Sequence, residues 1–452
     1  MSTTVTYKNS ILATVSGNTK TLKTAGKYME GDVILTDDSV DGDNLAYGNL
    51  EGLMVGVQID YENNTITRLG AAEGLTWGSD FDQFEIFGGR RRVNLSANGT
   101  VLAEYGDAAY SETGWTGATR TSVMVEQPKF YYKVEPVKTD GMQLLKANYY
   151  VLPMQTTGFK LHPAFINENG DEVDYYYIGA YEASLYDASA GDYDLTAAAT
   201  KDYNADCYGS IANALPIVSF TRSNGTKMAK NNGSGWYSLP FTIASAEQLL
   251  MTIELAGNFQ TVLGAGVTSG TNSKRVYTGA TSSLGNASGV ATQVTNAGGA
   301  TYTGASQLSV SYRGCENPWG NIYKWVDGLT VWGDGTMGGG QAYVGSGYSP
   351  VESTLDGYTS MGFNLPSSGY VKYFGYVEDY DYAFIPITVG GTSGSLTYDY
   401  LYTTTDLNGY RTAQLGGYYH NGSFAGGFSW SLGPAPGSSY SFSGGRLVYV
   451  YV

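Results

Sequence analysis

Basic charge is the first thing this chain has little of: 25 Lys and Arg stand against 41 Asp and Glu, a net charge of −16. Nucleic-acid binding needs a basic face to neutralise phosphates, so that class is excluded. An anionic membrane surface has no electrostatic hold on such a chain either. No apolar run approaches the length of a membrane span, and Met1-Ser2-Thr3-Thr4-Val5-Thr6-Tyr7-Lys8 lacks the apolar centre of a secretory leader. Cysteine occurs twice, at Cys207 and Cys315, with no Cys-x-x-Cys spacing. That is too few for a disulfide scaffold, and two buried thiols in a protein folded in a reducing cytoplasm are expected. Histidine also occurs twice. His162, in Leu-His-Pro-Ala-Phe, reads as a structural residue, and His420 has no Ser–carboxylate pair nearby in sequence. His-Glu-x-x-His, the P-loop and the dinucleotide fingerprint are all missing. The 41 acids are scattered, so no catalytic carboxylate pair stands out. No enzyme is expected.

What is abundant is glycine, at 62, and tyrosine, at 40, in a chain of 452 residues with only 15% charged residues. Low charge with many Tyr, Thr, Ser and Gly favours strands and long loops over helical bundles. The length predicts two or three domains. The one basic cluster, Arg90-Arg91-Arg92, lies near Asp80, Asp82 and Glu85 and reads as a salt-bridged face rather than an anion site. The most structured stretch is Ser311 to Gly328, where Trp319 and Trp325 flank Ile322 among several glycines and a proline. Large apolar rings beside a backbone that must turn sharply make a buried aromatic knot pinning loops to a sheet.

Taken in order, residues 11–15 and 33–35 read as strands of a small module, 1–42, too small for a core of its own. The acidic stretch 37–43 reads as a hinge. Residues 43–145 read as a β-rich intermediate domain, with strands at 53–59 and 65–69 and an aromatic strand from Phe130 to Val134. From 146 the pattern is a central strand, 175–181, one helix, long loops and a closing strand, 447–452. The helix is expected from Ser245, with Gln248 completing a capping box, to Ala256, stopped by Gly257. Residues 264–308 should form a surface excursion with a hairpin of its own.

Four separated segments carry a resemblance. Gly314-Cys315-Glu316-Asn317-Pro318-Trp319-Gly320-Asn321-Ile322-Tyr323-Lys324-Trp325-Val326-Asp327-Gly328 resembles the core motif of phage tail proteins with a C-type-lectin-like domain. Val125 to Lys133, Gly158 to Phe165 running on to Tyr177 to Glu182, and Gly416 through Leu447 match the same pattern in the same order. The superfamily includes phage tropism determinants and formylglycine-generating enzymes. The enzymes' reactive cysteines have no counterpart here, because residues 397–452 contain none. The resemblance implies a mostly β protein in which β-rich N-terminal modules precede an α+β, C-type-lectin-like domain at 146–452. It implies a bacteriophage or prophage tail-tip or fibre protein that binds a host-surface glycan or protein, docks to other virion proteins through its N-terminal region, and forms a homotrimer in the virion after assembly in the bacterial cytoplasm. The alternatives are a structural decoration or baseplate component without receptor binding and, more distantly, a carbohydrate-active enzyme. No cofactor is implied. Glu316-Asn317-Pro318 only superficially matches the sugar-binding motif of calcium lectins, and calcium near Asp379 or Asp381 is left open.

Residues 397–452 hold nine tyrosines and four formal charges, Asp399, Asp406, Arg411 and Arg446. That is the composition of antibody-like binding loops, in which Tyr gives rigid contact area and Ser, Asn and Gly adapt. By the resemblance, the receptor-facing positions lie before Gly444-Gly445-Arg446: Tyr418, Tyr419, His420, Asn421, Ser423, Phe424, Trp430 and Tyr440, with Tyr400 and Tyr402 beside them.

Overall fold

A computed structural model describes residues 54–114, 120–269, 274–348, 353–392, 394–396 and 399–452, together with strand backbone at 3–7, 10–16, 19–24, 27–28, 35–41 and 44–47. The first four of those short strands form an antiparallel meander. Of the acidic stretch expected as a hinge, residues 37–41 lie in a strand paired with 44–47, Val40 opposite Leu45 and Asp41 opposite Asn44, and 42–43 lie outside the described residues.

The core strands of the rest are Val55–Asp60 (β1), Thr65–Gly70 (β2), Arg91–Ser96 (β3), Val101–Glu104 (β4), Thr121–Pro128 (β5), Tyr131–Lys138 (β6) and Leu144–Leu152 (β7). They continue with Tyr175–Gly179 (β8), Trp236–Ser238 (β9), Tyr323–Asp334 (β10), Asn408–Leu415 (β11) and Leu447–Val450 (β12). Two helices matter, Arg222–Lys230 (α1) and Phe241–Leu255 (α2). One sheet runs β6-β7-β1-β2, extended beyond β6 by Lys160–Leu161. A second runs β4-β3-β5-β8-β12-β9, and a third is centred on β10 and β11. The described chain is therefore mostly β with a few helices, as expected.

The sequence reading divided the chain between residues 145 and 146. Residue 145 lies inside β7, and β5 pairs with β8, Met124 opposite Gly179. All eight residues of β5 are buried, in clusters that hold Ile86, Phe87 and Val93 from before it and Ile178, Tyr177 and Trp325 from the later part of the chain. One hydrophobic core runs from Val55 through Tyr176 and Trp319 to Val450. The described residues between 54 and 145 thus share sheets and core with those from 146 on.

The closing strand behaves as the sequence implied: β12 lies between β8 and β9, with Val448 opposite Ile178 and Tyr237. The helix differs. It begins at Phe241, four residues before Ser245, with Pro240 at its N-cap, and Ser245 is an interior residue whose hydroxyl donates to the Thr242 carbonyl at 2.8 Å. Every residue of α2 is buried, so the apolar stripe on which the sequence reading relied is one side of a helix enclosed all round. It stops where Ala256 takes a left-handed φ of 46° ahead of Gly257.

Charged side chains thread this core. Arg90 reaches Glu247 at 2.8 Å, Arg92 reaches Glu112 at 2.9 Å, Arg313 reaches Glu254 at 2.6 Å and Lys324 reaches Glu182 at 2.9 Å. The basic cluster is salt-bridged, but not to the neighbouring acids: Arg91 bridges Glu104 at 2.6 Å and Glu126 at 2.9 Å. In a strand, successive residues point to opposite faces, so three consecutive arginines find partners on different elements. Both cysteines are buried and unpaired.

Candidate functional site

The Ser311–Gly328 stretch is the knot its residues implied, since Trp319 and Trp325 are fully buried. Trp325 donates its indole N–H to the Phe220 carbonyl at 3.2 Å. Three non-glycine residues here, Arg313, Asn317 and Asn321, hold left-handed φ angles of 42°, 49° and 56°. Asn321 shows why such a conformation is sustained. Its side chain accepts from the Val276 N–H at 2.8 Å and donates to Glu182, while its own carbonyl accepts from the Tyr419 N–H at 3.0 Å. The knot thereby fixes the first residues of the loop that the sequence marked for binding.

That loop leaves β11 through Gly416 and Gly417, at φ 101° and 76°. A Cβ on Gly417 would collide with Ala425, so the loop closes on itself only with glycine there. Asn421 holds the turn: its Oδ1 accepts from the Tyr418 N–H at 2.9 Å and its amide donates to the Tyr402 hydroxyl at 3.2 Å.

The rings then fall into two adjoining groups. Tyr400 lies 4.7 Å from Tyr402 and 4.5 Å from Phe424, and Tyr370 closes this group at 5.5 Å from Phe424 while its hydroxyl shares a 2.9 Å hydrogen bond with Ser423. The second group is a near-parallel stack of Tyr418 on Phe442 at 4.3 Å and Phe442 on Tyr440 at 5.1 Å. Between Tyr402 and this stack opens a cleft of about 360 Å³, lined also by Tyr323, Gln414, Asn421, Ser431, Gly433 and Pro434. No residue lining it carries a charge. Burial raises the phenol pKa values of Tyr402, Tyr418 and Tyr323 above their ordinary value, so the cleft presents neutral hydroxyls. Phe424, at 36% exposure, gives the face an apolar tip.

Of the ten residues marked by the sequence, Tyr402, Tyr418, Asn421 and Tyr440 line the cleft, and Tyr400, Ser423 and Phe424 form the adjoining group. His420 is exposed at the rim, 6.4 Å from Tyr418. Tyr419 turns the other way and packs on the small cluster of Val267, Val276 and Val294 under the 264–308 excursion, which contains the expected hairpin, Val294–Thr295 with Thr301–Tyr302. Trp430 does not face outward. It is fully buried, donates its indole N–H to the Phe384 carbonyl at 3.0 Å and lies against Phe241 of α2. Its backbone carries the site instead, accepting the Tyr402 N–H at 2.9 Å. The sequence reading missed Tyr370, Tyr323, Gln414 and Phe442. Phe442 stacks on Tyr440 from within the turn that the Ser443 N–H closes onto the Tyr440 carbonyl at 3.2 Å.

Beneath the face lies Asp399, buried, its carboxylate accepting the Phe428 N–H at 2.5 Å. Burial pushes its pKa up to about 7, opposed in part by that hydrogen bond. His162 is also buried, among the rings of Phe130, Tyr132 and Tyr382, with Nδ1 accepting the Ala164 N–H at 3.2 Å. Among the described residues no group of three or more His, Cys, Asp or Glu could hold a metal ion. Asp381, considered for calcium, accepts from the Tyr132 hydroxyl at 2.5 Å and from Lys160 at 2.9 Å. Among the same residues no helix is long and apolar enough to cross a membrane.

No protein-family model matches the chain, and no curated protein matches it. Among solved structures it is similar to the U1 variant of a Major Tropism Determinant, at 12% identity over 97% of this chain and 83% of that one, with a TM-score of 0.27. The M1 variant gives 12% identity, 99% and 85% coverage and a TM-score of 0.26.

Proposed function

We propose that the chain is a bacteriophage or prophage receptor-binding protein of the tail tip or fibre, and that it contacts the host surface through the Tyr/Phe face just described. The observation that carries this reading is the face itself: an uncharged, aromatic, partly exposed surface on a protein of net charge −16, built on a buried scaffold. Rigid aromatics beside adaptable Asn, Ser and Gly suit recognition, and a charge-free patch on an acidic surface separates the contact from bulk repulsion. The order of the four sequence segments that resemble phage lectin-like tail proteins supports the same reading. Binding rather than catalysis fits His162, which is sealed among the rings of Phe130, Tyr132 and Tyr382. On this reading the protein resides in the virion, its first 42 residues dock other virion proteins, and it assembles as a homotrimer, which light scattering on the purified chain would report directly.

The test is adhesion of the labelled full-length chain to a panel of bacterial isolates, with Tyr402→Ala and Phe424→Ala beside the unaltered protein. Adhesion to some isolates and about a tenfold or greater loss in each variant, as for hot-spot aromatics, is expected. Adhesion that both variants retain in full moves the contact elsewhere. A chain that adheres to no isolate but is found in purified virions favours a structural decoration.

A further inference from the structure

The cleft beside Tyr402 has a chemistry more specific than a flat aromatic patch. Its walls combine ring surface from Tyr418, Phe442 and Tyr440 with amide groups from Gln414 and Asn421. Several polar groups are already spent inside the protein: the Gln414 amide donates to Ser443 at 2.8 Å, and Asn421 is used by Tyr418 and Tyr402. Among the described residues, the hydroxyls of Tyr418 and Tyr440 have no hydrogen-bond partner in the protein, although both rings are held in the stack. The Tyr402 hydroxyl accepts from Asn421 and keeps its own proton to donate.

We propose that this cleft takes an uncharged sugar ring, an inference that rests on the receptor-binding reading and names its ligand class. A pyranose is apolar on its C–H faces and ringed by hydroxyls at its edge. Aromatic surface beside free, neutral hydroxyls is the complement of both. The absence of any charged lining residue disfavours sialic acid, phosphate or an acidic peptide, whose charge would be desolvated without a partner. The volume of about 360 Å³ falls in the range of small-molecule sites. Recognition here needs no metal ion, because rings and hydroxyls of the chain supply every contact.

The test uses the full-length chain and saturation-transfer NMR with glucose, galactose, mannose and N-acetylglucosamine, with N-acetylneuraminate as the charged comparator. At least one neutral sugar should bind in the presence of a chelator. Tyr440→Ala should weaken that binding about tenfold, and Tyr418→Phe, which keeps the ring and removes only the hydroxyl, should weaken it several-fold at an unchanged melting temperature. No neutral sugar bound at any accessible concentration, binding of the charged sugar alone, or binding that Tyr418→Phe leaves intact would overturn the proposal. Adhesion to isolates treated with periodate or with protease separates the two readings. Loss after periodate alone supports a sugar ligand. Loss after protease alone keeps the receptor-binding reading and removes this one.

Discussion

Asp399→Asn is the sharpest perturbation the structure offers. The carboxyl is buried, is bonded to the Phe428 N–H and, among the described residues, has no cation bonded to it. Burial raises its pKa from 3.8 to about 7. A carboxyl raised on folding binds more protons in the folded state than in the unfolded state across that interval. Its contribution is therefore fully present below about pH 4 and is lost as pH rises toward 7. Each tenfold step in proton affinity is worth about 1.4 kcal/mol, so the whole interval amounts to about 4 kcal/mol. Asparagine keeps an oxygen for the Phe428 N–H and has no charge to bury, although its second N–H adds a fixed cost if it finds no acceptor. Denaturant unfolding of both proteins across pH 4 to 8 should show the variant gaining on the parent by about 1.4 kcal/mol per pH unit up to about pH 7, then levelling off. A difference that does not change with pH would show that Asp399 is solvated or paired, and the argument would fail.

His162 predicts the opposite slope. Burial holds its imidazole at about 3, well below its ordinary 6.5, so stability should fall by about 1.4 kcal/mol per pH unit on acidification below about pH 6, and His162→Gln should abolish that fall. Trp430→Ala should cost about 3–5 kcal/mol of stability, measured by denaturant unfolding, with any loss of binding following the loss of fold. Glu254→Gln removes the charge facing Arg313, whose guanidinium is bonded to both Glu254 oxygens at 2.6 and 2.8 Å. Breaking one side of a buried pair should cost about 3–5 kcal/mol, and a melting temperature unchanged from the parent would refute that account.

The sequence by itself determined what depends on local chemistry. Tyr, Thr and Gly in a weakly charged chain implied strands and loops. The Trp319–Trp325 spacing implied a buried knot and Leu447–Val450 a closing strand. Each follows from residue type and spacing along a few neighbouring positions. What only the tertiary structure decided is which of these surfaces cover one another. Local pattern does not show that β5, with Thr, Ser, Glu and Gln among its residues, is buried throughout, nor that β8 lies beside it, so residues 43–145 read as a separate domain. Trp430 and Tyr402 look alike as aromatics in a Gly- and Ser-rich segment, yet one is the floor beneath Phe241 and the other the wall of the cleft. Tyr370 joins the site from some thirty residues upstream of Tyr400, across the pairing of Tyr370 with Tyr400. Burial and proximity are properties of the folded whole, set by long-range packing that composition and period do not encode.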